Sequence, residues 1–375
     1  MNRGFYLTLM MGGFTASPVP QPVIDALTEV QVNSSVGSQG GFQLKFTLGK
    51  NSAIQQMLVS GFFDPRQRVI IAVTVNGTTE VLMDGIITKQ DIAPSLAAGK
   101  STLTITGLDL TALMDFLDLT GIPYPALPLF LIVEAILAKY LVLGVTPVAL
   151  PTLLSLISNP LSSYPKQNGT DYAYVTQLAT QVGAVFYLDP GPTPGRSTAY
   201  WGPDLSRIFG GQQPALSINF DGISNVDSLT FSYDGTLATT YLVTILEPNT
   251  GLPIPIPVPT IDILKPRLAS QAPPVLKTQQ LTPIASEDPI GAALAAVGKM
   301  FEITDVISGS GQLDVLRYGQ IFKVRQRAAV RGAGQYYDGQ YYVKSVTHNI
   351  KRGEYKQSFT LARGGVGSDV STVSV

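Results

Sequence analysis

The chain has no cysteine and a single histidine among its 375 residues, and only 14% of its residues are charged. The absence of cysteine excludes a disulfide framework and any thiolate metal site. The lone histidine, His348, excludes a metal site built from several imidazoles. Charged residues make up about 25% of an average protein. A surface with so few charges is expected of a protein that buries part of that surface in an assembly.

A strongly basic surface and a long apolar run are also missing. The formal net charge is -1, so the composition gives no electrostatic footprint for nucleic acid. The most apolar stretch, Leu127–Ile157, is interrupted by Glu134 and Lys139 and then by Pro147 and Pro151. A membrane-spanning helix needs about 20 consecutive apolar residues. We therefore predict an amphipathic helix in this stretch and no stable membrane insertion.

Glycine and proline are abundant, with 36 and 27 residues, as in turn-rich proteins composed mainly of strands. In Phe42–Leu48 every second residue is apolar, which predicts a half-buried strand. Val69–Val75 and Glu80–Thr88 flank Asn76-Gly77, a strong signal for a two-residue hairpin turn. Thr102–Thr106 alternates again. These short strands predict a small antiparallel barrel in residues 1–107.

The period changes from that of strands to that of helices after residue 107. Phe130–Leu141 has helical spacing. A second helix is predicted to begin at Thr170 or Asp171, either of which can accept hydrogen bonds from its first N–H groups. Gly183 ends this helix, and Ala184–Leu188 reads as a strand. Residues 108–222 are therefore predicted to form a small α/β middle domain.

Residues 223–365 are predicted to form a second barrel, followed by a flexible tail over residues 366–375. Its first strands are Ile223–Tyr233 and Thr239–Leu246. Its last two are Gln340–Ile350 and a strand beginning at Tyr355, joined by a glycine-containing loop. The predicted fold class is thus mainly β with some α: two antiparallel β-barrels and an α/β middle domain.

A proline-rich insertion, residues 247–285, interrupts this second barrel. Prolines occupy alternate positions, at Pro253, Pro255, Pro257 and Pro259. Proline has no N–H to donate, so this run cannot form a central strand. It is expected to be extended, polyproline-like chain on a surface or at an edge. It is either a connector within the barrel or an arm that contacts a neighbouring subunit. A helix over Ile290–Phe301 is predicted to follow it.

The sequence contains no recognisable catalytic constellation. His348 lies within an alternating strand, and no G-x-S-x-G nucleophile motif occurs. The clustered carboxylates are explained as caps or as charge at helix starts; they are Asp109, Asp115, Asp118, Glu287 and Asp288. We therefore predict no enzyme, no catalytic residue, no metal site and no cofactor.

A run of basic residues lies near the C-terminus, at Lys323, Arg325, Arg327 and Arg331. Their alternate spacing favours one exposed strand face. A second interpretation is a lining that contacts DNA or cargo in a channel, or the acidic face of a neighbour.

Two segments resemble the baseplate-hub proteins of phage tails, which include the late-control D proteins of contractile phages and the N-terminal hub part of secretion-spike (VgrG-like) proteins. One segment is Tyr318–Gly365, with the motif YDGQYYVKSVTHNI and a last strand that closes on LARGG. It departs from the hub pattern at Gln320, where the family has an acidic residue. The other matches the hub pattern at Gln167, Asp171, Tyr174, Leu178, Ala179 and Gly183.

The resemblance implies a structural protein with two tube-protein-like barrels in each subunit. Three subunits would form a ring of six barrels, a symmetry adaptor between the hexameric tail tube, or a tube-initiator protein, above and the trimeric central spike below. In fused relatives the spike domain follows where only a short tail follows Gly365 here. A separate spike protein is therefore expected to dock near the C-terminus.

The resemblance also implies a cellular setting. Baseplate wedge proteins are further candidate partners, and the genome or cargo at most passes through the lumen. The chain is expected in the virion baseplate or an injection particle, made in the bacterial cytoplasm without a signal peptide.

The predicted subunit or spike interface comprises Tyr337, Tyr341, Tyr342, Arg363 and Val366, with the four alternating prolines as the arm. An alternative function is a carbohydrate- or receptor-binding β protein. In that case Trp201 and the pairs Tyr336-Tyr337 and Tyr341-Tyr342 would stack on sugars. A tail peptidoglycan hydrolase is a third candidate.

Overall fold

The computed structural model describes residues 4–49, 52–95, 101–124, 127–152, 165–218, 224–246, 253–258, 266–281 and 305–368. The predicted helix Ile290–Phe301, the pair Glu287-Asp288, Pro259 and the tail beyond residue 368 lie outside these ranges. Within the described residues, no helix has the length and apolarity to cross a membrane.

Strands dominate the described chain. They are β1 Phe5–Gly12, β2 Ser17–Pro18, β3 Leu27–Ser35, β4 Gly41–Leu48, β5 Arg68–Val75, β6 Thr78–Ala93, β7 Ser101–Asp109, β8 Val145–Ala149, β9 Val185–Pro190, β10 Ser197–Gly202, β11 Gln212–Ser217, β12 Ser228–Tyr233, β13 Thr239–Leu246, β14 Pro253–Val258, β15 Lys277–Leu281, β16 Ile307–Asp314, β17 Arg327–Arg331, β18 Gly339–Lys351 and β19 Glu354–Arg363.

The helices are short. The described α-helices are α1 Gln21–Ala26, α2 Ala53–Val59, α3 Leu129–Ala138, α4 Asp171–Gln181, α5 Ser206–Phe209 and α6 Val315–Tyr318. The predicted strands and the two predicted middle-domain helices are confirmed with shifted ends. The largest shifts are at β6, which continues to Ala93, and at the predicted strand Ile223–Tyr233, which is described as a strand only from Ser228. Thr170 is the residue that caps α4, since its hydroxyl accepts from the N–H of Ala173 at 3.2 Å.

Thirteen strands form one large sheet, whose main path runs β12-β16-β19-β18-β3-β4-β7-β6-β5-β1-β2. β17 pairs with β18, and β11 pairs with β17. The apolar faces of these strands, with α1 and α2, enclose the largest hydrophobic core. Phe46 and Tyr355, one from each half of the chain, are completely buried in it.

The large sheet contains the same five-stranded arrangement twice. The first unit consists of β3, β4, β5, β6 and β7, and the second of β12, β16, β17, β18 and β19. In space both follow the order first, second, fifth, fourth, third strand. A helix separates the second and third strands in each, α2 in one and α6 in the other. The chain thus folds one pattern twice.

The two predicted barrels are not closed in the described structure. β18 is long enough to pair with β17 through its first residues and with β3 through its last seven. This pairing joins the two units edge to edge, so their strands make one continuous sheet. The mainly β class is confirmed, while two separately closed barrels are not observed.

The middle part has its own three-stranded sheet, in which β10 pairs with β8 in parallel and with β9 in antiparallel orientation. Its hydrophobic core includes Ile132 and Val133 of α3, Val175 of α4 and Trp201 of β10. The indole N–H of Trp201 donates to the carbonyl of Val175 at 3.2 Å. This agrees with an α/β middle domain, although its predicted boundaries stay a prediction.

A buried ion pair fixes the middle part to the first unit. Arg68 of β5 donates two hydrogen bonds to the carboxylate of Asp84 in β6, at 2.8 and 2.7 Å. The same guanidinium donates to the carbonyl of Leu143 at 2.8 Å, just before β8. Both charged groups are buried, so the contact depends on the pair remaining complete.

The proline-rich segment forms a small separate sheet in the order β14-β13-β15. Pro253, Pro255 and Pro257 occupy alternate positions of β14, which pairs on one side with β13. Because the N–H groups of alternate strand residues point to the same side, the outer edge of β14 lacks donors at these positions. Pro253, Pro255 and Pro257 thus lie in a paired edge strand, while the role of this segment as an arm stays a prediction.

Candidate assembly surface

The joint between the two units is formed by β18 and β3, which pair antiparallel from Ser345 opposite Ser35 to Lys351 opposite Glu29. Polar side chains reinforce it on one face. The hydroxyl of Thr347 donates to the Asn33 side-chain oxygen at 3.2 Å. One face of the joint is thus hydrogen-bonded, and its other face contributes to the hydrophobic core.

A bulge sets the start of this joint. In the pairing of β18 with β19, Val343 faces Leu361 and Ser345 faces Thr360, so Lys344 has no opposite residue. The carbonyl of Lys344 accepts from the N–H of Val36 at 2.9 Å. A bulge turns the strand locally, and here β18 changes partner from β17 to β3 at this point.

The first unit has a bulge at the same place in its own pattern. In the pairing of β6 with β7, Ile87 faces Gly107 and Lys89 faces Thr106, so Thr88 has no opposite residue. Beyond it, the side of β6 away from β7 has no strand partner among the described residues. Residues 89–93 are all exposed. β6 therefore has a free edge where β18 has a neighbour.

The second free edge belongs to β12, which pairs only with β16 in the described structure. Ser228, Thr230 and Ser232 are exposed along it. The described sheet thus exposes two edges that correspond to the two strands of the internal joint.

One face of the sheet is covered with uncharged polar side chains, and we call it the polar face. At the β12 end of this face a groove of about 450 Å³ is lined mainly by hydroxyl and amide groups from β12, β16, β18 and β19. Ser345 hydrogen-bonds Thr360 at 2.6 Å across two strands. The charged groups found on this face include Lys45 and Glu29, which form an ion pair at 2.8 Å. The polar face therefore presents little unbalanced charge.

The five predicted interface residues separate into two groups. Tyr341, Tyr342 and Arg363 are at most 1% exposed, so their side chains face the interior of their own chain. Tyr337 and Val366 are half-buried. Of the five predicted interface residues, only Tyr337 and Val366 are therefore accessible to a partner.

Arg363 organises the end of the described chain. Its guanidinium lies over the ring of Tyr341, 4.5 Å from the centroid. It donates to the carbonyls of Tyr336 and Asp338, both at 2.9 Å. Val366 follows and forms a two-way backbone bridge with Gln271, at 3.0 and 3.1 Å. The segment that returns from the proline-rich insertion therefore holds the C-terminal segment in place.

The aromatic residues considered for sugar stacking are mostly inaccessible. Trp201 and Tyr341 are fully buried and Tyr342 is 1% exposed. Tyr337 stacks on Phe231 with a centroid distance of 5.1 Å. Tyr336 alone among the named candidates is substantially exposed, at 47%. The structure does not assemble these side chains into an exposed aromatic platform.

His348 is an interior residue of the joint. Its Nδ1 lies 2.7 Å from the Tyr355 hydroxyl and 3.3 Å from the Gln357 amide nitrogen, both of which can donate to it. An Nδ1 that accepts from both carries no proton of its own. Burial lowers the pKa of His348 to about 3. The neutral ring therefore serves packing and hydrogen bonding within the sheet.

The basic run does not form one exposed strand face, which corrects that expectation. Lys323 and Arg325 precede β17, and Arg325 is only 9% exposed. Arg325 pairs with Asp189 at 2.6 Å and lies over the Tyr187 ring, 4.1 Å from its centroid. Lys323 pairs with Glu80 at 2.6 Å. The two residues tie the second unit to the middle part and to the first unit.

The acidic residues of the predicted caps act as hydrogen-bond acceptors. Asp109 is buried and accepts from the N–H of Gly40 at 2.6 Å; burial raises its pKa. Asp118 accepts from Thr120, which lowers the pKa of Asp118. The Thr170 hydroxyl donates to Asp115 at 2.5 Å. No group of three possible metal ligands occurs in the described ranges.

The duplication was expected as two barrels, but the joint between β18 and β3 and the free edges of β6 and β12 were not predicted from the sequence. The usable signal was the length of two strands: β6 and β18 each continue well past the hairpin that begins them. A strand longer than its hairpin partner must pair with a further strand or leave an edge open.

The structural comparisons agree on a group of tail proteins. The 43 kDa tail protein of prophage MuSo2 from Shewanella oneidensis is 14% identical, with a TM-score of 0.62 over 96% of this chain and 99% of that chain. A tail protein from Neisseria meningitidis MC58 is also 14% identical, with a TM-score of 0.57 over 97% and 98%.

A secretion-system protein has the same fold. The E. coli c3393 protein, a type VI secretion component described as similar to the T4 tail proteins gp27 and gp5, is 12% identical, with a TM-score of 0.52 over 90% of this chain and 73% of that chain. No protein-family profile and no curated protein sequence matches the chain. The resemblance inferred from Tyr318–Gly365 is confirmed at the level of the fold: this chain has the fold of phage tail proteins and of a related secretion-system component.

Proposed function

We propose that this chain is a structural baseplate hub, which assembles as a homotrimeric ring and connects a hexameric tail tube to a trimeric central spike. The observation that carries the proposal is the repeated five-stranded unit. One chain contains two such units in the same spatial order, so three chains would present six. A ring of this kind can face a sixfold partner on one side and a threefold partner on the other.

The polar face is proposed to line the lumen of the ring. Hydroxyl and amide groups dominate its groove, and elsewhere on the face Lys45 and Lys351 lie 2.8 and 3.7 Å from Glu29. A wall with little net charge neither holds nor repels an anionic polymer strongly. This suits a passage through which a genome or cargo moves without being bound. The tube or tube-initiator protein, a trimeric spike and baseplate wedge proteins remain the proposed partners.

The arm is proposed to contribute to subunit contacts. The described part of the insertion contributes β14 and β15 to the small separate sheet, and Val275 and Leu276 just before β15 are 55% and 66% exposed. Exposed aliphatic groups of this size are common at protein interfaces. The predicted site of action is the baseplate of a virion or of an injection particle, and the proposed role needs no catalytic step.

The test is the solution mass of the purified chain, combined with electron microscopy of the same sample. A species of three times the 40.0 kDa chain mass that appears as rings with a central opening is the expected result. A chain that stays monomeric at high concentration, and also in the presence of its tube and spike partners, would overturn the proposal. Most of the aromatic side chains considered for carbohydrate binding are buried, so no observation favours that alternative over the hub.

A further inference from the structure

We propose that the free edge of β6 in one copy pairs antiparallel with the free edge of β12 in a second copy of this chain. This contact would repeat between chains the joint that β18 and β3 form within a chain. It rests on the proposed ring function and specifies which strands close the ring. Pairing the fourth strand of one unit with the first strand of the next is a head-to-tail contact, which generates rings.

The fourth strands of the two units correspond residue by residue. Lys89 is the first paired residue after the bulge of β6 and faces Thr106. Ser345 is the first paired residue after the bulge of β18 and faces Thr360. Counting onward from these two positions aligns residues 89–93 of β6 with residues 345–349 of β18. The latter are residues that pair with β3.

The first strands of the units correspond as well. In the first unit Thr106 of β7 pairs with Gln43 of β4, which in turn pairs with Gln31 of β3. In the second unit Thr360 of β19 pairs with Ser310 of β16, which in turn pairs with Thr230 of β12. Thr230 of β12 therefore stands where Gln31 stands in β3. This fixes the register of the proposed contact without any free choice.

The register places complementary residues opposite one another. Ser345 faces Ser35 within the chain, and the corresponding pair between chains is Lys89 and Asp234, two exposed residues of opposite charge. Asp234 directly follows β12, and its carboxylate also accepts from the N–H and the hydroxyl of Thr236. Opposite charges across paired strands stabilise the pairing. In the separate chain Lys89 instead pairs with Asp91 at 2.8 Å, so both side chains lie on the same face of β6.

The core-facing side of the contact is also complementary. Ile92 is 47% exposed in the separate chain, although its neighbour across the ladder is the buried Leu103. The register places Ile92 opposite Phe231, as His348 stands opposite Val32 within the chain. The partner strand would thus cover the exposed side chain of Ile92, which lies on the core-facing side of β6.

The test uses the absence of cysteine, which leaves no background thiol. Asp91 and Ser232 stand opposite each other in the proposed register, in the places of Thr347 and Asn33, whose side chains are hydrogen-bonded at 3.2 Å. In the double variant Asp91→Cys/Ser232→Cys, oxidation is expected to give disulfide-linked dimers and trimers on a non-reducing gel. The matched control is Asp91→Cys/Ser228→Cys, which moves one thiol roughly 13 Å along the strand, too far for a disulfide.

The outcomes distinguish this inference from the proposed function. Selective crosslinking of the first variant supports the β6–β12 contact. Equal crosslinking of both variants, or none in either while the solution mass is that of a trimer, overturns the contact and leaves the hub standing. A chain that is monomeric and not crosslinked under all conditions overturns both.

Discussion

Thr88 and Lys344 occupy the same position in two copies of one structural unit. Each is the single unpaired residue of a bulge, and each is followed by a strand segment that continues past its hairpin. After Lys344 that segment is covered by β3. After Thr88 it is exposed. The segment after Lys344 is thus paired within the chain. We propose that the segment after Thr88 pairs with the next chain.

Reversing a charge at the proposed edge should weaken the trimer. Lys89→Asp would place two carboxylates opposite each other, at a cost of roughly 0.2–1 kcal/mol for each interface, or up to about fivefold in its dissociation constant. The double variant Lys89→Asp/Asp234→Lys should recover most of the loss. Sedimentation equilibrium at low salt provides the measurement.

Lys45→Asp is the matched control for this experiment, since it reverses a charge on the polar face within β4, away from both edges. Equal weakening by Lys45→Asp, or no recovery in the charge-swapped variant, would argue against the β6–β12 contact.

Removing the guanidinium of Arg68 should destabilise the chain strongly. Arg68→Ala leaves the buried carboxylate of Asp84 without its partner, which typically costs about 3–5 kcal/mol. Arg68→Met/Asp84→Leu removes both charges and should cost less than the single change. Urea unfolding measures both variants. A single variant as stable as the parent would show that the pair contributes nothing.

The pH dependence of stability should contain a contribution from His348. Its pKa is lowered by burial to about 3, below the unfolded value of about 6.5. The unfolded chain therefore takes up this proton first, and stability is lost as the pH falls from about 6.5 toward 3, by at most about 1.4 kcal/mol per pH unit.

His348→Gln removes that titration while keeping a polar side chain. The stability difference between parent and variant, measured by urea unfolding at pH 7, 5.5 and 4.5, should shift in favour of the variant as the pH falls. Parallel curves for the two proteins would contradict the assignment of a buried neutral imidazole.

The prolines of β14 should protect the small sheet from uncontrolled pairing. Pro255→Thr/Pro257→Thr restores two N–H donors on its outer edge and should promote self-association, because open strand edges template further pairing. Light scattering over time measures this. Pro274→Thr, at an exposed position outside any strand, is the control. Unchanged scattering would show that the edge is protected in another way.

Trp201 offers a simple check on the carbohydrate alternative. It is the only tryptophan and is completely buried. Its fluorescence should therefore resist quenching by iodide and should not change when oligosaccharides are added. Strong quenching, or a saturable change with one sugar, would reopen that alternative.

The local pattern of the sequence was sufficient for most elements of the sheet. The alternation of Phe42–Leu48, the Asn76-Gly77 turn and the cap at Thr170 are set by neighbours in sequence, so they could be read directly. The burial of Tyr341 and Tyr342 could not be predicted in this way. Both residues lie in an alternating strand, and which face is enclosed depends on layers contributed by distant parts of the chain.

Long-range pairing escaped the sequence for the same reason. The contact between β18 and β3 joins residues more than 300 positions apart. The sequence of neither strand indicates which strand it pairs with. The predicted basic strand face failed because Arg325 finds Asp189 and Tyr187 in the middle part. Such partners are decided by the packing of whole elements, which alternation does not encode.

The ion pair between Arg68 and Asp84 also makes the two units unequal. Arg68 corresponds to Arg327 and Asp84 to Gln340, as the registers of the two hairpins show. In the described structure Nε of Arg327 and Oε1 of Gln340 are buried without a partner, whereas Arg68 secures the middle part through Leu143. Around a ring of three chains, units that hold a middle part through this buried ion pair would alternate with units that lack the pair. The inner wall would then be nearly sixfold and the outer rim strictly threefold.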